Sequence, residues 1–110
     1  MGYYSNEKEE QFDLVQQRLN GNYSDIMRQM GMVSNMIKAN PESKELKNLL
    51  YSLSETATKI ISTQICFAHA YSPDEKYKDE IIGHLMKKRQ GLLSEIATEL
   101  NATSSNTKSR

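Results

Sequence analysis

The sequence predicts an all-α domain, an antiparallel up-down-up bundle of three long helices, and three observations carry that expectation. Pro41 and Pro73 are the only prolines in 110 residues, and they divide the chain into three stretches of comparable length. Within each stretch apolar residues recur at steps of three and four, the helical period. Glu, Lys, Gln, Leu, Ile and Met are abundant, whereas there are two Phe, six Tyr and no Trp, a composition that suits helices.

Residues 1–6 read as a flexible arm. The first helix is expected from Glu7 to Ala39, with Phe12, Val15, Leu19, Tyr23, Ile26, Met30, Val33 and Ile37 in its apolar stripe. Asn20-Gly21-Asn22 has turn chemistry, and a break there would divide the stretch into two short helices and give a four-helix arrangement. Phase argues for one helix. Phe12, Val15 and Leu19 share a face with Ile26, Met30 and Val33, and Gly21 falls on the polar side. A continuous helix with a bend near Gly21 is therefore predicted, at a cost of about 1 kcal/mol for each of Gly21 and Gly31 relative to Ala.

The second helix lies between the prolines. From Ser43 to Tyr71 there is no Gly or Pro, and Leu46, Leu50, Leu53, Ala57, Ile60, Phe67 and Tyr71 form one row, flanked by Leu49, Ile61, Ile65 and Ala68. Together the rows span an arc broad enough to touch two neighbours. Its start has Pro41 suited to a first turn, Asn40 or Ser43 as the cap, and Glu42 and Glu45 near the positive helix end. At its far end, Ser72 reads as the N-cap of a third helix, with Pro73 at the first position and Glu75 completing a capping box.

The third helix is predicted from Pro73 to about Leu100, carrying Ile81, Ile82, Leu85, Leu92, Leu93, Ile96 and Leu100. Residues 101–110, rich in Ser, Thr and Asn, read as a disordered tail. Short connections make successive helices antiparallel. Residues 7–100 are thus one bundle domain between an arm and a tail.

Several function classes are disfavoured by the totals. Fourteen basic and fourteen acidic residues give no net charge, so no overall field attracts nucleic acid or an anionic membrane. Lys87-Lys88-Arg89 is a compact basic run, but its side chains diverge around a helix and no aromatic residues interleave with it. The single cysteine rules out an internal disulfide and suits a reducing cytoplasm. No window of about 18 apolar residues and no signal-peptide pattern is present. Gly2 begins a myristoylation pattern that Asn6 breaks, and the sequons at Asn22 and Asn101 carry no weight without a secretion signal.

Catalytic and metal chemistry find little footing. The only histidines are His69 and His84; Glu80 and His84 share a helix face, but two ligands are too few for a specific site. No cofactor or metal is expected. Cys66 and His69 fall with Tyr51, Thr58 and Ser62 on the side of the second helix away from its apolar arc. Cysteine is usually buried, so its place there suggests that a partner or a second copy covers this face. Arg89 interrupts the apolar stripe of the third helix between Leu85, Leu92 and Ile96, where a charge must pair or reach the rim. Tyr51, Cys66, His69 and Arg89 are accordingly the candidate partner-binding residues. Met32 and Leu14 add a thin second apolar strip on the outer side of the first helix.

The junction Met36-Ile37-Lys38-Ala39-Asn40-Pro41-Glu42-Ser43-Lys44-Glu45-Leu46-Lys47-Asn48-Leu49-Leu50 resembles the first helix junction of the GAT domain, a three-helix module of endosomal sorting adaptors. The resemblance covers that junction alone. The family's Asn-Asp pair in the last helix has no counterpart near Lys88-Arg89, so its ubiquitin-binding role is not carried over. The expectation is a non-enzymatic, cytoplasmic protein-binding module, whose partner is another protein or a second copy of the chain. The alternative is an oligomer that binds a small molecule or nucleotide between subunits.

Overall fold

A computed structural model describes the backbone of residues 2–72 and 75–108, with side chains over 7–72 and 75–99. Those residues form three helices and no strand: α1 (Gly2–Ala39), α2 (Lys44–Tyr71) and α3 (Glu75–Lys108). The three-helix bundle is the predicted one, drawn out to 66 × 20 × 15 Å. α1 and α3 each pack along α2, while among the described residues no Cα of α1 comes within 8 Å of one in α3. The central helix therefore holds the domain together.

α1 continues through Gly21 without a break. Its apolar phase is kept on both sides of the glycine, so burial of Phe12, Met30, Val33 and Ile37 on one face outweighs the modest propensity cost. Val15, predicted in that stripe, is instead exposed. Both outer helices have helical backbone beyond the predicted domain, over the arm to Gly2 and into the tail to Lys108. Extending an existing helix adds one hydrogen bond per residue fixed, which local composition does not forbid.

The α1–α2 junction is built differently from the prediction. The Asn40 N–H closes α1 onto the carbonyls of Met36 and Ile37 at 2.9 and 3.0 Å, and the Ser43 N–H returns to the Asn40 carbonyl at 3.1 Å. Pro41 thus occupies the second position of a β-turn, which its fixed φ favours, rather than the first turn of α2. Ser43 alone is the N-cap, accepting from the Leu46 N–H at 3.2 Å. At the other end Ser72 closes α2 by donating its N–H to the Ala68 carbonyl at 3.1 Å. The predicted roles of Pro73 and of the capping box starting α3 lie outside the described residues.

The most buried row of α2 is Leu50, Ser54, Ala57, Ile61, Gln64 and Ala68, which runs between the two apolar rows read from the sequence. Leu49, placed in one of those rows, is exposed. Met30, Val33 and Ile37 from α1 and Leu85, Leu92 and Ile96 from α3 close over Leu50, Ala57 and Ile61. At the Gln64 end the floor turns polar.

Candidate functional site

α1 and α3 run parallel and meet through side chains at regular intervals. Phe12 meets Tyr77 edge-on with ring centroids 6.2 Å apart, Lys88 Nζ lies 4.0 Å from the Tyr23 ring centroid, and Ser34 donates to Glu99. Phe12, Tyr23 and Ser34 are eleven residues apart, and so are Tyr77, Lys88 and Glu99. Eleven residues make three turns of helix, so the rungs recur on one side of both helices. Between the first two rungs lies a cavity of about 690 Å³.

The cavity has a carboxamide floor. Gln64 is 1 % exposed, and its Nε2 donates to Asn20 Oδ1 at 2.8 Å and Gln16 Oε1 at 3.1 Å. Its Oε1 is buried and has no hydrogen-bond partner, a vacancy that ordinarily costs roughly 1–3 kcal/mol. Phe12, stacked on Phe67 at 5.2 Å, closes one end. At the other, partial burial holds the Lys88 ammonium below its ordinary pKa. Burial also pushes the Tyr23 phenol up, and the charge of Glu95 adds to that rise. Glu80 and His84, which the sequence paired on one helix face, both line this cavity.

The predicted partner-binding residues lie elsewhere, on the opposite side of α2. Arg89 reaches out of the α3 stripe to donate Nη1 to Ser62 Oγ at 2.9 Å, which satisfies part of the guanidinium while leaving it half-buried. This bond draws α3 beside the Tyr51–His69 face. Tyr51 and Thr58 there line a groove of about 540 Å³ with Leu93 and Ala97. Tyr51 is 55 % exposed, Met86 50 % and Leu93 46 %; Cys66 is a free, exposed thiol, and His69 is exposed. Tyr51 and His69 are eighteen residues apart, about 27 Å along the helix. The four predicted residues thus form a strip, and no one pocket holds them all.

Comparison with family models, curated proteins and solved structures finds no match.

Sequence reading missed Gln64, Gln16, Asn20, Tyr23 and Lys88 as a constellation. One signal was available: Leu50, Ala57, Ile61 and Ala68 follow a strict three-four spacing whose open steps fall on Ser54 and Gln64. Among the described residues no group of three His, Cys, Asp or Glu side chains is placed to hold a metal ion, and no helix is long and apolar enough to cross a membrane.

Proposed function

We propose that this chain is a non-enzymatic protein-binding module of the cytoplasm, acting through the strip where α2 and α3 lie side by side. The observation that supports this is the placing of exposed Met86 and Leu93 on either side of Arg89 along α3, whose guanidinium is already fixed by Ser62, with exposed Tyr51 further along the same strip beside Leu93. Tyr, Met and Arg are among the residues in which interfaces are enriched. With the antiparallel register set by Arg89 and Ser62, Cys66 comes level with Met86 one turn further on, so the apolar strip continues beyond the groove. Burying it would gain roughly 25 cal/mol per Å² of apolar surface before the costs of association.

The sole thiol of the chain makes the test direct. A benzophenone attached at Cys66, irradiated in extracts of the cells that make the protein, should give discrete adducts. The same label at position 32 of a Cys66→Ser, Met32→Cys chain, on the outer side of α1, should give none of the same masses. Equal adducts from both positions, or none from either, would remove the proposed face. Absolute molar mass by light scattering across a concentration series assigns the partner: dimer mass that Arg89→Glu abolishes means a second copy, and monomer mass throughout means a different protein.

A further inference from the structure

The cavity between α1 and α3 is a second site, on the far side of α2 from the proposed protein-binding strip. Its construction is selective. The next interval along the same pair of helices, between the Tyr23–Lys88 and Ser34–Glu99 rungs, repeats the framework eleven residues on. There the position of Gln16 is taken by Met27 and that of Gln64 by Leu53, both packed against the apolar core. The fold accommodates apolar side chains at these positions, so carboxamides are not required to form the bundle. A buried Gln64 with an unpartnered Oε1 is a local loss of stability confined to one of two equivalent intervals, a pattern expected where a polar group serves a ligand.

The ends of the cavity differ in charge. Asp13 and Glu80 line it near the aromatic rung, and Lys88 lines the opposite end; among the described residues no carboxylate forms an ion pair with Lys88, and neither Asp13 nor Glu80 has a cationic partner. Glu80 and Lys88 are eight residues apart on α3, about 12 Å along its axis. An anion alone would meet two carboxylates, and a cation alone would meet Lys88. A linear zwitterion satisfies both ends. Extended peptide advances by about 3.3–3.6 Å per residue, so three or four residues span the distance, and its main-chain carbonyls can accept from the amide groups of Gln16 and Asn20, whose own oxygens Gln64 Nε2 holds from below. The volume of about 690 Å³ lies within the range of small-ligand sites.

We infer that the cavity floored by Gln64 binds a short free peptide of three or four residues, its ammonium end at Asp13 and Glu80 and its carboxylate end at Lys88. The amides of Gln16 and Asn20, positioned by Gln64, read the peptide backbone, while the open mouth between the helices leaves side chains little restricted. This gives a site selective for free termini and length rather than for sequence.

The test uses the full chain and a random-sequence tripeptide pool with free termini, followed by NMR of the Gln16, Asn20 and Gln64 side-chain amide signals. Saturable shifts of these signals are expected. Acetylating the amino ends or amidating the carboxyl ends of the pool should weaken binding at least tenfold. Gln64→Leu should lose the binding while raising the denaturant midpoint, and Gln16→Met, at a half-buried position, tests the same floor if the first variant does not fold. No shift at millimolar peptide, which leaves water as the occupant, overturns the proposal. So does equal binding of capped and free pools, or binding that survives in both floor variants. The strip carrying Cys66 is untouched by these changes, so its crosslinking reports separately on the protein-binding reading.

Discussion

Single side chains here are informative where they oppose their surroundings. Lys88 is half-buried against Tyr23, and burial holds its pKa below the ordinary value. Between its folded and unfolded pKa values the unfolded chain binds more protons at this site, so its contribution to stability rises with pH across that window. The cost of the buried charge is present in full below the folded value. Tyr23 acts in the opposite sense: its raised pKa means that stability falls as pH climbs above the ordinary phenol value. In Lys88→Met, denaturant midpoints followed from neutral to alkaline pH should lose the rising part and keep the Tyr23-driven fall. Parallel curves for variant and parent would show that the ammonium is fully hydrated. Arg89 illustrates the other outcome, in which a charge in an apolar stripe finds a hydroxyl at its edge.

At the scale of the helix, propensity and capping make separable contributions. Ser43 is the N-cap of α2, and Ser43→Ala should lower stability by about 1 kcal/mol. The glycines at 21, 31, 83 and 91 all lie within helices, and a Cβ built on any of them meets nothing within 4 Å. None is needed for a close approach of neighbouring chains. Gly21→Ala and Gly91→Ala should therefore each stabilise by up to about 1 kcal/mol, read as a higher urea midpoint with unchanged slope. A drop in stability at Gly21 would mean that α1 relies on local backbone freedom there.

For the whole molecule the decisive feature is shape. A compact globule of this length has a radius of gyration of about 13 Å, whereas the Cα value here is 17.7 Å. Three helices of 38, 28 and 34 residues laid side by side can only make a rod, with a high ratio of surface to core. Small-angle X-ray scattering on the monomer should return a radius near 17.7 Å or slightly above it for the hydration layer. A value near 13 Å would mean that the helices fold back on themselves. With α1 and α3 joined only through side-chain rungs among the described residues, the rod presents two long grooves, one on either side of α2.

The sequence by itself determined that the chain is helical and favoured three helices over four, and the structure decided that Gly21 does not interrupt the first. The helicity and the preference for three follow from hydrophobic phase and from proline placement, which act over a few turns and need no knowledge of neighbours. The sequence also marked the Tyr51–His69 face as lying away from the apolar arc of α2 and Arg89 as out of place, because a helical wheel is a local construction. Which turn residue caps α2 was not legible, since Asn40, Pro41 and Ser43 each suit a helix start and only the backbone path selects among them. The cavity was decided by tertiary structure alone. Gln16, Asn20, Gln64 and Lys88 are ordinary polar residues along their own helices, and they become a site only because α1 and α3 settle in parallel register on α2, leaving Gln64 at the bottom and no water-facing route for its oxygen. Register between helices depends on how side chains interlock across an interface, and that information is spread over residues far apart in the chain.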